Sequence, residues 1–191
     1  MHIMDIAENS INAGADRISI LIEENRQDDH LRIIITDNGR GMPDDFLQQA
    51  TDPFVTTGKT RRVGLGLSLL KEAALRCNGS FRIGSAPGKG VMVEADFEYH
   101  HIDRAPMGDI SGSITALIFG NPGIDFSYRH ILDGKEFGFD TSEFRSPEIS
   151  LQDPETINHL TFLIRDGIEN LSSKGIATFG HGDNNGKTHH R

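Results

Sequence analysis

The sequence predicts an α/β chain in which helices and strands are interleaved along 191 residues. Three observations predict it. Ile18, Ile20 and Ile22 alternate with less apolar residues, the period of a half-buried strand. Leu31 to Thr36 is rich in β-branched side chains, as expected of a central strand ending at Asp37. Ile3, Ile6, Ala7 and Ile11 recur at helical spacing, with Asp5, Glu8, Asn9 and Asn12 on another face.

The elements follow in order. Residues 2–13 form a helix that Gly14 stops, where a C-terminal glycine is expected. Arg17 to Glu24 and Leu31 to Thr36 are strands. Asp44 to Ala50 is a short helix behind Pro43. Residues 51–63 have mixed polarity and little periodicity and read as a loop. Leu65 to Cys77 is a helix with Leu67, Leu70, Ala74 and Cys77 on one side. Ser80 to Ser85 and Val91 to Tyr99 are strands joined by the turn Pro87-Gly88-Lys89-Gly90. After Tyr99 the style changes. Ile110 to Phe119 reads as a helix, and Ile124 to Asp140 as a hairpin turning at Asp133-Gly134. Leu151 to Leu171 contains a helix capped by Asp153 with Pro154 at its first position. The expected organisation is a domain over 1–99, a small α-β-β-α appendage over 100–179, and a disordered tail over 180–191, where Gly, Asn and His replace apolar residues.

Composition narrows the function. A formal charge of −9 argues against wrapping nucleic acid or lying on an anionic membrane, because phosphate contacts need clustered Lys and Arg. The single cysteine, Cys77, excludes an internal disulfide and fits a reducing compartment. No apolar run approaches the length of a membrane span, and the start lacks a signal-peptide pattern. The expectation is a cytoplasmic protein.

Four short stretches carry chemistry. Asp5 and Asn9 are one helical turn apart on one face. An Asn carbonyl is a suitable oxygen ligand for Mg²⁺, and a neighbouring carboxylate is placed to orient a water or hydroxyl. Asp37 ends a buried strand, and its carboxylate suits an adenine amino group. Gly39 and Gly41 let the backbone approach a planar base. Gly64-Leu65-Gly66-Leu67 opens a helix, whose free N–H groups attract phosphate. Lys59, Arg61 and Arg62 in the preceding loop are the densest basic spot in this acidic chain.

In order, spacing and context these stretches resemble the GHKL ATPase superfamily of gyrase, MutL and the histidine kinases. Met4 to Ala15 is similar to its N-box, in MutL flavour. Asp37 to Met42 resembles the G1 box. Pro53-Phe54-Val55-Thr56-Thr57 and Gly64 to Leu67 resemble the F and G2 boxes of histidine kinases, and Gly79 to Phe97 their closing strand pair. The resemblance covers residues 2–98. It implies a Bergerat α/β sandwich, a mixed sheet with helices on one face. It implies Asn9 as the Mg²⁺ ligand, Asp37 as the adenine-recognising carboxylate, and Gly64 and Gly66 as the phosphate turn. Met42, Thr57, Leu65 and Leu67 join the nucleotide set as members of the matching boxes. Two departures stand out. Asp5, the candidate base, occupies the place of a Glu in hydrolysing members. Val91 occupies the place of a common Thr, and its side chain has no group to share a hydrogen bond with Asp37.

Gly58-Lys59-Thr60 and Gly186-Lys187-Thr188 imitate the end of a Walker A motif, but Pro53 and His181 stand where its first Gly belongs. His101-Ile102-Asp103-Arg104-Ala105-Pro106-Met107 faintly echoes the phospho-acceptor box of histidine kinases, which makes His101 a weak acceptor candidate. The chain starts at the N-box, without the dimerising acceptor helix that histidine kinases carry upstream. The expectation is therefore a stand-alone Mg-ATP-binding kinase or ATPase module in regulation, with a protein partner or a second copy. The alternatives are an ATP-dependent binding switch without turnover and a MutL-like dimer clamp.

Overall fold

The computed structural model describes residues 2–47, 50, 65–144 and 150–173, with only the backbone of Leu65. The elements are α1 (Ile3–Asn12), β1 (Arg17–Asn25), β2 (His30–Asp37), α2 (Asp44–Leu47), α3 (Leu65–Arg76), β3 (Ser80–Ser85), β4 (Val91–Glu98), α4 (Ile110–Gly120), β5 (Asp125–Leu132), β6 (Lys135–Asp140) and α5 (Pro154–Ser172).

Among the described residues six strands form one sheet in the order β3-β4-β2-β1-β5-β6. β1 and β5 are parallel, and every other neighbouring pair is antiparallel. The register explains why one face is apolar. Ile20 lies opposite Ile35 on one side and Tyr128 on the other, and Ile35 opposite Val93. Side chains alternate across a sheet, so this row and its neighbours Ile18, Ile22, Ile33, Ala95 and Phe126 share one side, and all are buried. The helices cover that side, giving a two-layer α/β sandwich. α1 contributes Ile3, Ile6 and Ala7 to the shared core, α3 Leu67, Leu70 and Ala74, α4 Ile114 and Ile118, and α5 Leu160 and Ile164. The opposite face carries cross-strand ion pairs: Arg82 with Glu94 at 2.9 Å, Arg32 with Asp96 at 3.0 Å, and Arg129 with Glu136 at 2.9 Å.

The strands expected in an appendage continue the sheet of the first hundred residues. The alternation of Phe126, Tyr128 and His130 gives β5 a face to bury, and the free edge of β1 offers a place to do so. Polar links fasten the junction. Arg17 pairs with Asp140, and Arg26 donates to Asp133 at 2.6 Å. Buried His130 bonds Glu24 across the strands at 2.7 Å and the Tyr128 hydroxyl at 2.8 Å. Burial pushes that hydroxyl far above its ordinary range. Asp153 caps α5 by accepting from the Thr156 N–H at 3.0 Å. Cys77 is buried, and desolvation raises its thiol. Among the described residues no helix is long and apolar enough to cross a membrane.

Candidate functional site: a nucleotide pocket

Asp37 is the last residue of β2 and is buried, only 6% exposed. A carboxylate in such a place needs donors. It has three. The Ser10 hydroxyl donates to Oδ2 at 2.6 Å, and the backbone N–H groups of Gly39 and Val91 donate to Oδ1 at 2.9 and 3.2 Å. The side chain of Val91 is mute, as its chemistry requires, but its backbone reaches the carboxylate directly. The link to Asp37 that the Val91 side chain has no group to make is supplied by the main chain.

The glycines explain how the backbone closes around Asp37. Gly41 has φ +65°, and a Cβ there would stand 2.0 Å from the Ala86 carbonyl oxygen. Gly90 has φ +72°, and a Cβ there would stand 1.8 Å from the carbonyl oxygen of Asp37. Neither position accepts a side chain. The loop after β2 is locked to the β3–β4 turn by Met42 N–H to Ser85 Oγ at 2.8 Å, Ser85 Oγ to Gly90 O at 2.7 Å, and Gly88 N–H to Arg40 O at 2.7 Å.

A cavity of about 250 Å³ opens beside Asp37. Ile6, Ile35, Met42, Leu67 and Val93 give it apolar walls, and Asn9, Ser10 and Asp37 face it with polar groups. Apolar walls with a few convergent polar atoms suit a planar base with an exocyclic donor. The Asn9 carboxamide lines this cavity and makes no hydrogen bond among the described residues, so its oxygen is available to a cation.

α1 and α3 meet at the edge of the cavity. A Cβ on Gly66 would stand 2.6 Å from the Cβ of Asp5, so only glycine permits this approach. Asp5 is half-exposed, and its Oδ2 lies 3.0 Å from His2 Nδ1. The structure thus brings Asn9, Asp37, Gly41, Met42 and Leu67 around one cavity, with Gly39 bonded to its carboxylate and Gly66 against Asp5. Thr57, Lys59, Arg61, Arg62 and Gly64 lie outside the described residues, as does the side chain of Leu65.

His101 is elsewhere. β4 begins with Val91 beside Asp37 and ends with Glu98 beside His30, and the His101 N–H bonds the Glu98 carbonyl at 3.3 Å. The whole length of β4 separates it from the pocket.

Sequence reasoning passed over Ser10 as a site residue, although it lies within the N-box. Its signal was positional. Ser10 stands four residues after Ile6 and seven after Ile3, a polar side chain in the apolar stripe of α1.

This fold and pocket define a nucleotide-binding α/β sandwich. Residues 2–101, just over half of the chain, match the family model described as histidine kinase-, DNA gyrase B-, and HSP90-like ATPase. The chain belongs to this family and carries an ATP-binding module of the histidine kinase type. It is similar to a Rickettsia conorii protein named as an NtrY-like sensor histidine kinase, 28% identical over 103 residues, which are 54% of this chain and 17% of that protein. It is also similar to the alginate biosynthesis sensor protein KinB of Pseudomonas aeruginosa, 35% identical over 89 residues, covering 45% of this chain and 15% of that one. The chain therefore spans less than a fifth of these relatives. The N-terminal domain of a DNA repair protein superposes with a TM-score of 0.56 at 16% identity, over 84% of this chain and 55% of that one. At that identity the likeness is one of fold.

Proposed function

We propose that the chain is a Mg-ATP-binding kinase or ATPase module that works in regulation on a partner polypeptide or a second copy of itself. The observation that carries this reading is the cavity lined by buried Asp37, held by the Ser10 hydroxyl and the N–H groups of Gly39 and Val91, and by the Asn9 carboxamide, which makes no hydrogen bond among the described residues. Asp37 accepts the adenine amino group, and Ile35, Met42 and Val93 pack on the base. Asn9 holds Mg²⁺, which supplies charge neutralisation at the phosphates. Gly64, Leu65 and Gly66 engage phosphate at the start of α3, with Thr57, Lys59, Arg61 and Arg62 contributed by the residues before it. Asp5 is the candidate base, and His101 accepts a phosphoryl group only from another molecule.

The test is a thermal-shift titration with Mg-ATP. The natural chain is stabilised, and Asn9→Ala and Asp37→Ala abolish the shift. Stabilisation that neither substitution changes defeats the assignment. Labelled γ-phosphate then separates a kinase, which transfers it, from an ATPase, which releases it.

A second reading, an ATP-dependent binding switch without turnover, is favoured by Asp5. Its carboxylate is one methylene shorter than Glu and already has His2 as a partner. Tight ATP binding with neither transfer nor release of phosphate selects this reading. An ATP-dependent change in oligomer size would instead select a dimer clamp.

A further inference from the structure

α5 runs beside β6, the last strand of the sheet among the described residues, and turns one long side outward. His159, Phe162, Leu163 and Asp166 follow at helical spacing on that side. With Phe137 and Gly167 they line an open groove of about 620 Å³ between α5 and β6. Two contacts hold its walls. A Cβ on Gly167 would stand 2.2 Å from the Phe137 ring, so glycine is what lets α5 press onto β6. Lys135 Nζ donates to the Ser173 carbonyl oxygen at 2.6 Å and ties the end of α5 to the start of β6. Phe162 is 67% exposed, and among the large apolar side chains of the described residues only Ile102 is more so. A single exposed apolar residue needs no explanation, but Phe162 shares its groove with the partly buried Leu163 and Phe137.

We infer that this groove binds a second copy of the chain, with α5 packed antiparallel on the partner's α5 about a two-fold axis. The order of the stripe argues for a copy of itself. The Phe162–Leu163 pair lies midway between His159 and Asp166. A two-fold axis passing there sets Phe162 against the partner's Leu163 and His159 against the partner's Asp166, and each contact occurs twice. The groups at the rim are free to meet. His159 makes no hydrogen bond among the described residues, so an imidazole N–H is open to a carboxylate. Asp166 accepts from Asn170 at Oδ2, at 2.9 Å, and keeps Oδ1 open. The result is an apolar centre flanked by two polar pairs, the anatomy of a specific interface. The formal charge of −9 opposes self-association. At about 0.15 M salt that repulsion is screened beyond about 8 Å, so the short-range contacts decide. None of these residues lines the nucleotide cavity, so the pairing needs no ATP, in contrast to an ATP-gated clamp.

The experiment is analytical ultracentrifugation of the full chain without nucleotide, over about a hundred-fold range of concentration. The natural chain is expected to form a dimer. Phe162→Glu places two charges at the centre and is expected to weaken the dimer about a hundred-fold or more. Its side chain is exposed in the monomer, so the melting temperature of the dilute variant should match that of the dilute natural chain. His159→Asp sets carboxylate against carboxylate, and Asp166→Lys sets a cation against the imidazole. Each is expected to weaken the dimer about ten-fold, and the double variant, which restores opposite charges across the axis, to recover to within about three-fold of the natural chain. A monomer at every concentration overturns the inference and leaves the groove to a different protein. A dimer that Phe162→Glu leaves intact, a double variant weaker than both single ones, or a dimer that forms only with ATP also overturns it.

Discussion

Gly90 and Asp37 approach so closely that a Cβ on the glycine would stand 1.8 Å from the aspartate's carbonyl oxygen. The turn before β4 is thereby pressed onto the end of β2, and this contact carries the Val91 N–H to the Asp37 carboxylate. Gly90→Ala must push the two strand ends apart and also hold a side chain at φ +72°. The expected cost is about 3 kcal/mol or more of folding stability, together with weakened ATP binding. Gly88 is the control. It has the same φ of +72°, but a Cβ there meets nothing within 4 Å, so Gly88→Ala is expected to cost only about 1–2 kcal/mol and to leave ATP affinity unchanged. Urea melts and ATP titrations of the two variants check this. Equal effects would mean that backbone conformation, not the approach to Asp37, makes Gly90 necessary.

Asn9 differs from Asp37 in what it is expected to recognise. Its carboxamide lines the cavity from α1 without a hydrogen bond among the described residues, whereas Asp37 is bound into the protein by three donors. Asn9→Ala is therefore expected to leave folding stability within about 0.5 kcal/mol, as for a partly exposed residue whose side chain makes no hydrogen bond among the described residues. Its affinity for Mg-ATP should fall about ten-fold or more, while affinity for ATP in excess chelator changes little. Parallel titrations with and without Mg²⁺ measure the difference. Equal losses in both would assign Asn9 to the nucleotide itself.

Much of this site could be read in the sequence because its parts are local. Helical spacing put Asp5 and Asn9 on one face of α1, and the β-branched run before Asp37 placed that carboxylate at a strand end. The parts that were not legible depend on what comes from far away. Alternation marks β5 as a strand but does not name its partner, so its parallel pairing with β1, more than 100 positions upstream in register, could not be read from residues 124–140 alone. The Val91 contact is made by a backbone N–H, which every residue other than proline has, so side-chain identity carries no sign of it. Glu24 read as the polar end of one strand and His130 as a position in another. Their pairing exists only because the two strands lie side by side.

That pair gives a further prediction. His130 is 4% exposed and the Glu24 side chain 12%, and the imidazole is held from both sides, by Glu24 at 2.7 Å and the Tyr128 hydroxyl at 2.8 Å. His130→Ala leaves the largely buried Glu24 carboxylate with the Tyr99 hydroxyl but without its imidazole partner, and takes the ring nitrogen from the buried Tyr128 hydroxyl. Breaking a buried pair by removing one partner costs about 3–5 kcal/mol. The double variant Glu24→Gln, His130→Ala is expected to recover part of that loss, because it removes the stranded charge. Denaturant melts of the single and double variants measure the coupling. A double variant less stable than His130→Ala would show that Glu24 is satisfied by other groups.

The open face of the sheet should report on acid. Desolvation works to raise the Asp96 carboxyl, but hydrogen bonds from Ser80, Arg32 and His30 outweigh it and hold the group below its ordinary 3.8. Its folded-state pKa is thus lower than its unfolded one, so the unfolded chain takes up this proton first as pH falls. The stabilisation is fully present above the unfolded value. It drains away as pH drops from about 5 through 3.8 and then through the depressed folded value. Asp96→Asn removes the titrating group, so it is expected to be less stable than the natural chain at pH 7 and to lose less stability between pH 5 and pH 2.5. The gap between the two chains narrows toward acid, and Arg32, whose guanidinium is raised first of all by its hydrogen bond to Asp96, loses that support in the variant at every pH. Urea midpoints across this range test the sign. A gap that stays constant would mean that Asp96 binds protons equally in the folded and unfolded chain, and that the cross-strand cluster contributes packing rather than charge.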